Sequence, residues 1–293
     1  MEPMSEPDVR IDPLTGSYVI VTPWRQSRPN LPEGSCPFCP GGLEAPEPYD
    51  VRWIPNRWPG LSGGRHEVIL HSPQHHASFP SLGEAGAARV VELWAQRTVV
   101  LGARSDVAYV FVLENRGRAI GTTIDHPHSQ IFAFGVIPPI PRAELTTQGC
   151  ALCAEPDEAL VVCREAGWLA RVPWAPSWPY EILISTRGHQ ADLPTAGARL
   201  RTGLGVILVD GLKCLERLFG EDVPYMLWIH QRPTDGREWP TAHLHLHLAP
   251  VLRKPGTIRH LAAAELGAGV VFDPVDPEAA AAQLRGARHS VTA

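Results

Sequence analysis

Asp125-His-Pro-His-Ser-Gln130 is answered late in the chain by His243-Leu-His-Leu-His247, and the two segments share a histidine-x-histidine core. On an extended strand, side chains two apart point the same way, so His126 and His128 share a face. Pro127 fixes its own φ and keeps its predecessor extended, which stiffens the pair. Two imidazoles on one face suggest a metal ligand, a nucleophile, or one of each.

Three more landmarks repeat in the same order. Cys36-Pro-Phe-Cys39 answers to Cys150-Ala-Leu-Cys153, the run Glu67–His75 to Glu181–His189, and Asp106-Val-Ala-Tyr109 to Asp222-Val-Pro-Tyr225. The offsets are 114 (36 to 150), 114 (67 to 181), 116 (106 to 222) and 117 (126 to 243). Ordered landmarks at near-constant spacing indicate an internal duplication. We read residues 1–142 and 143–293 as two homologous halves. Gly135-Val-Ile-Pro-Pro-Ile-Pro-Arg142 joins them as a proline-rich link that cannot continue a helix.

Each half carries short β-branched or aromatic runs bounded by Pro, Gly and Asn, which read as strands: Ser17–Thr22, Glu67–His71, Val107–Leu113, Trp168–Val172, Glu181–Ser185 and Tyr225–Ile229. Apolar residues at three- and four-residue spacing predict helices over Leu82–Leu101 and Ala198–Leu218, with a further helix around Pro277–Arg285. The expected fold class is α+β, each half an antiparallel sheet carrying a helix. The chain ends read as frayed.

At 293 residues and a formal charge of −5, the chain has no basic footprint for nucleic acid or an anionic membrane surface. No apolar run approaches the roughly 18 residues of a membrane span. The expectation is a soluble cytoplasmic protein. Four of its six cysteines form the two CxxC pairs, which in a reducing compartment point to metal or redox chemistry rather than structural disulfides.

Structural zinc takes four soft or borderline ligands, often a CxxC plus two histidines. The first half offers Cys36, Cys39, His75 and His126, and the second offers Cys150, Cys153, His189 and His243. Cys39 to His75 and Cys153 to His189 are both 36 residues (75 − 39 and 189 − 153). Zinc is therefore the expected cofactor at one site, with a second in the other half. If a metal holds His126, His128 is free, and a neutral imidazole can attack phosphorus to form a covalent intermediate. Gln130, two residues on, can donate its amide to the oxygens of the transferring group.

The HPHSQ run resembles the active-site motif of the galactose-1-phosphate uridylyltransferase family, the nucleotidyl-transferring branch of the histidine-triad superfamily. Further resemblance lies in Asp12-Pro-Leu-Thr-Gly16, in Arg25-Gln-Ser-Arg28, and in Cys36-Pro-Phe-Cys39-Pro-Gly-Gly42. Pro55-Asn-Arg-Trp-Pro59, Phe111–Gly117 and His245–Arg253 extend it over nearly the whole chain. It implies two histidine-triad-like halves forming one catalytic unit, usually a homodimer. His128 then matches the nucleophile, which takes the nucleoside monophosphate, UMP, from a nucleotide sugar and passes it to a hexose 1-phosphate. Gln130 matches the residue bonding the transferred phosphoryl, Arg25 and Arg28 match phosphate-contacting arginines, and Asn56 and Asn115 match polar residues near the nucleotide. Ser129, where the best-known members carry glycine, is grouped with the substrate contacts.

Alternatives stay open. The HPHSQ form with a second CxxC also resembles ADP-glucose phosphorylase. Some relatives build the second metal site from a glutamate and three histidines, here Glu144, His230, His245 and His247; the Cys150/Cys153 set is preferred because the repeat independently predicts it. His243-Leu-His-Leu-His247 is itself closer to the triad of the histidine-triad hydrolases. A zinc-stabilised scaffold without chemistry is the non-enzymatic alternative.

Overall fold

The computed structural model describes residues 8–28 and 35–289; the chain ends read as frayed, 1–7 and 290–293, lie outside the described residues. In chain order the elements are β1 (Asp8–Ile11), β2 (Tyr18–Val21), β3 (Arg52–Pro55), β4 (His66–Leu70), α1 (Phe79–Gly102), β5 (Tyr109–Arg116), β6 (His128–Phe134) and α2 (Pro139–Leu145). The second half supplies β7 (Val161–Glu165), β8 (Trp168–Arg171), β9 (Ile182–Thr186), α3 (Ala198–Phe219), β10 (Tyr225–His230) and β11 (His245–Pro250). The small strands β12 (Leu252–Lys254) and β13 (Thr257–Ile258) precede α4 (Ala263–Ala268) and α5 (Pro277–His289). Among the described residues, no helix is long and apolar enough to cross a membrane.

The expected α+β halves form, and their sheets join edge to edge. One nine-stranded antiparallel sheet runs β3-β4-β6-β5-β10-β11-β9-β8-β7, and the seam is the β5–β10 pair. Strand order is mirrored across that seam: β4-β6-β5 on one side corresponds to β9-β11-β10 on the other. At the seam Leu113 lies opposite Trp228 and Val112 opposite Ile229.

All the long helices lie on one face. Along β6, residues 129, 131 and 133 are buried against that layer while 128, 130, 132 and 134 are only part-covered, the two-residue alternation of a strand with unlike faces. Trp94, Val90 and Val91 of α1 pack with Leu204, Ile207 and Leu208 of α3 over Ile69, Ile131, Ile182 and Ile184. Fully burying such side chains contributes about 1.5–3 kcal/mol each. The two helices meet at Gly205, where a Cβ would stand 2.7 Å from the main-chain nitrogen of Ala88. Glu67 ties β4 to α1 through a two-pronged pair with Arg97, at 2.5 and 2.8 Å.

Three expectations are corrected. The proline-rich link, expected not to continue a helix, begins the short helix α2, because proline in the first turn gives up an N–H that has no partner there anyway. The boundary at residue 142 therefore falls inside a helix. Next, strand β5 runs to Arg116, three residues past the expected end at Leu113, and stops at Gly117, whose φ of 95° suits glycine. Finally, two landmarks of the repeat slip by one residue. Leu70 pairs with His128 and Ser185 with His245, so the structural offset there is 115 (70 to 185) rather than 114. A one-residue slip turns a side chain to the other face. Glu67 accordingly faces the helices, whereas Glu181 reaches His247 on the opposite face. Tyr109 and Tyr225 likewise face opposite ways, Tyr109 packing with Leu145 and Ala242 and Tyr225 bonding Glu114 among the helices.

Candidate active site

On the face opposite the long helices, His128 opens β6 and donates Nδ1–H to the main-chain carbonyl of His126 at 2.8 Å. A neutral ring held this way carries its lone pair on Nε2. Burial, reinforced by Arg28 and Arg116, pushes this imidazole below its ordinary value and favours that neutral form. His128 borders three clefts. One of about 270 Å³ is lined by Phe38, Leu43, Asn56, Trp58 and Gln130, a mix of apolar walls and a few polar groups. A second, about 260 Å³, collects Arg25, Arg28, Asn115, Thr123 and Gln130. The third, about 410 Å³, lies toward Glu114, Arg116, Arg118 and Asp222.

Arg25 and Arg28 come from the short 3-10 turn Pro23–Ser27 and the residue that closes it. Burial, and then Arg28, lowers the Arg25 guanidinium below its ordinary value. Arg28 Nη2 donates to Thr123 Oγ1 at 2.9 Å, and among the described residues neither arginine forms an ion pair. Two unpaired guanidiniums beside an imidazole make a site for a phosphate group. Asn56 Oδ1 accepts from the Trp58 N–H at 2.8 Å.

The structure thus gathers His128, Gln130, Arg25, Arg28, Asn56 and Asn115 around one set of clefts. Ser129 is the exception. It is fully buried on the helix side, where Trp94 Nε1–H donates to its Oγ at 2.7 Å and His71 Nε2 lies 3.0 Å from the same oxygen. The alternation that turns His128 into the cleft turns Ser129 into the core, so its side chain lies apart from the clefts.

Both cysteine–histidine sets assemble, with their ligand atoms within 4.8 Å of one another. Cys39 Sγ lies 3.5 Å from His75 Nδ1 and 3.6 Å from His126 Nδ1. A tetrahedral zinc with bonds of about 2.3 Å to sulfur and about 2.0–2.1 Å to nitrogen implies a sulfur–nitrogen separation of about 3.5 Å. In the second set Cys150 Sγ is 3.2 Å from His243 Nδ1, and Cys153 Sγ is 3.2 Å from His189 Nδ1 and 3.5 Å from His243 Nδ1. The outer nitrogens are held alike: His126 Nε2–H donates to the Ser72 carbonyl at 2.8 Å, and His243 Nε2–H to the Thr186 carbonyl at 2.9 Å. Such contacts fix the tautomer a metal needs. The donor chemistry and spacing fit zinc at both.

Glu144, His230, His245 and His247 form a third cluster beside the second. The repeat argued for the cysteine set in preference to this one; the tertiary structure assembles both, since His243 precedes β11 while His245 and His247 lie on it. Glu144 accepts from His230 Nδ1 at 2.8 Å, and His247 Nε2 is buried without a partner. That orphaned nitrogen and a carboxylate among imidazoles give this cluster, too, the chemistry of a metal site. Sequence reasoning missed the contacts behind the site. Gly60 N–H donates to His66 Nδ1 at 2.7 Å, and His66 Nε2 lies 2.9 Å from Gln130 Oε1. The signal for His66 was the alternation of β4, hidden by the chance match of Glu67 with Glu181.

With this geometry in hand, comparison with known proteins is specific. A family model for the galactose-1-phosphate uridyl transferase N-terminal domain matches residues 61–138, and one for the C-terminal domain of the same enzyme matches residues 145–289. The galactose-1-phosphate uridylyltransferase of Thermotoga maritima is 30% identical over 95% of this chain and 98% of its own. A solved uridylyltransferase structure superposes with a TM-score of 0.88 at 31% identity, covering 96% of this chain and 98% of the other. The crystal structure of an ADP-glucose phosphorylase from Arabidopsis thaliana with bound ADP-glucose gives a TM-score of 0.76 at 26% identity, covering 95% and 98%.

Proposed function

The chain belongs to the galactose-1-phosphate uridylyltransferase family, and from that premise we propose that it moves UMP from a nucleotide sugar to a hexose 1-phosphate through a covalent nucleotidyl-histidine at His128. The observation that carries this reading is the His128–His126 hydrogen bond beside Arg25, Arg28 and Gln130. Nε2 of His128 attacks the α-phosphorus in line. A nitrogen–phosphorus bond forms as the bond to the sugar-phosphate oxygen breaks, and the leaving hexose 1-phosphate departs as a phosphate needing no proton. The oxygen of a second hexose 1-phosphate then attacks the same phosphorus and releases His128. Arg25 and Arg28 hold the non-bridging charge, and Gln130 donates its amide to a phosphoryl oxygen as charge develops there. Asn56 and Asn115 line the nucleotide side.

Cys36, Cys39, His75 and His126 would hold a zinc, which would supply rigidity by fixing His126, the residue whose carbonyl aims His128. The set Cys150, Cys153, His189 and His243 anchors the second half in the same way. Residues 1–142 form the catalytic half and 143–293 its partner, and the protein works as a homodimer in the cytoplasm.

A second reading is nucleotide-sugar phosphorolysis, with orthophosphate as acceptor and ADP-glucose as donor. The full-length likeness to the Arabidopsis phosphorylase favours it. Both readings use His128 and differ in base and acceptor. Incubation with UDP-glucose or ADP-glucose without acceptor, followed by peptide mass spectrometry, tests them. A UMP adduct on His128 supports the transferase, an AMP adduct supports the phosphorylase, and no adduct with either defeats both.

A further inference from the structure

We propose that His66 is the positioning residue for Gln130, fixing which end of its amide faces the transferred phosphoryl group; this rests on the nucleotidyl-transfer reading above. The argument starts from a group with no freedom. The main-chain N–H of Gly60 can only donate, and it meets His66 Nδ1 at 2.7 Å. Nδ1 is therefore the bare nitrogen, and the single proton of the neutral ring sits on Nε2. That proton points at Gln130 Oε1, 2.9 Å away. Gln130 must present its carbonyl to His66, and its NH₂ is left for the cleft shared with Arg25, Arg28 and His128. The opposite amide orientation would set NH₂ against N–H.

The ring is held in place as well as in protonation. It stacks on Phe132 with centroids 3.8 Å apart. Burial pulls it down to about 4, which keeps it neutral across the working range. Two of the ring's three polar neighbours, the Gly60 N–H and Gln130 Oε1, fit this tautomer; the third, Asn56 Nδ2 at 3.1 Å from Nε2, has its Oδ1 taken by the Trp58 N–H and so offers no acceptor that could draw the Nε2 proton from Gln130.

The second half repeats the device. Val68 pairs with Gln130 across β4–β6, and Leu183 pairs with His247 across β9–β11. Two residues before Val68 stands His66, and two before Leu183 stands Glu181, on the corresponding face. Glu181 Oε1 accepts from His247 Nδ1 at 2.6 Å. Glu181 is itself pinned by main-chain N–H groups, those of Ser177 and Trp178, as His66 is by Gly60. In both halves this position clamps the last residue of the histidine segment, Gln130 or His247. The polarity is reversed to suit the partner: a donor for the glutamine carbonyl, an acceptor for the imidazole.

The test compares wild type, His66→Leu, His66→Gln, Gln130→Ala and the double variant His66→Leu/Gln130→Ala. The readouts are the single-turnover rate of nucleotidyl transfer to His128 from UDP-glucose, the Kd for UMP, and the melting curve. Losing the clamp is expected to slow transfer roughly tenfold to a hundredfold in His66→Leu, within the range for a misplaced transition-state donor. UMP affinity stays within about twofold, because the ground state uses the arginines. Glutamine at 66 places an N–H near the imidazole Nε2 position and recovers much of the rate. The double variant is no slower than Gln130→Ala alone, the non-additivity of two residues acting as a unit. His66→Leu at wild-type rate, no recovery in His66→Gln, or multiplying effects in the double variant would overturn the role of His66. Absence of any adduct in the wild type defeats the transfer reading itself and the inference with it.

Discussion

His128 Nδ1 lies 2.8 Å from the carbonyl oxygen of His126, and His126 Nδ1 lies 3.6 Å from the sulfur of Cys39. A candidate metal ligand and a candidate nucleophile are thus joined by one hydrogen bond across a single proline. The second half copies the geometry, His245 Nδ1 meeting the His243 carbonyl at 2.7 Å. There, however, His245 Nε2 faces Glu144 at 3.5 Å, inside a cluster of imidazoles. The first half instead sets its histidine in a cleft with Arg25 and Arg28, which among the described residues form no ion pair.

His128→Ala is expected to abolish the nucleotidyl adduct while the melting midpoint stays near that of wild type, since the ring borders clefts instead of filling the core. Single-turnover transfer and thermal melting check it together. Wild-type turnover in this variant would remove His128 from the chemistry.

Cys36→Ser and Cys150→Ser should each lower bound zinc by one equivalent, read by elemental analysis, and each should lower the melting temperature because ligand binding is part of folding free energy. Transfer should fall much further in Cys36→Ser, which frees His126 and so loosens His128. Equal losses of rate in the two variants would contradict the coupling through the His126 carbonyl.

Ser129→Ala should destabilise by about 1–3 kcal/mol, the usual consequence of stranding buried partners, here Trp94 Nε1–H and His71 Nε2. Its transfer rate should stay within a few-fold of wild type. A large rate loss at unchanged urea midpoint would restore Ser129 to the substrate site.

Glu114 makes stability depend on pH. It is buried with Oε1 accepting from Tyr225 and Oε2 unpartnered, and burial pushes its carboxyl up to about 8. Unfolded, it ionises in the usual carboxylate range. Between those values the unfolded chain has lost a proton that the folded chain keeps, so stability falls as pH rises toward 8. Glu114→Gln should therefore gain on the order of a few kcal/mol more over wild type at pH 8 than at pH 5, measured by urea unfolding. An equal gain at both values would show that the carboxyl is not held protonated.

Much of this was legible in one dimension. Helix α3 spans Ala198–Phe219 against an expected Ala198–Leu218, because three- and four-residue spacing ends at Gly220, a left-handed cap with φ of 71°. The eight cysteines and histidines that assemble into two clusters were legible because few residue types bind zinc and their spacing recurs. Ser129 was also readable: the alternation that unites His128 and Gln130 excludes the residue between them, and family resemblance outweighed it. His66 was not readable, because matching Glu67 to Glu181 set the comparison one residue out of step.

Sequence alone determined the duplication, the α+β class, the ligand sets and the histidine-x-histidine core, since these rest on residue identity and local period. Tertiary structure alone decided that two half-sheets close on each other through β5 and β10, that the Glu144 cluster forms beside the second cysteine set, and which end of Gln130 meets the cleft. Each of those depends on atoms far apart in the chain meeting within a few ångströms. Strand pairing, with its one-residue sensitivity of face, settles such meetings.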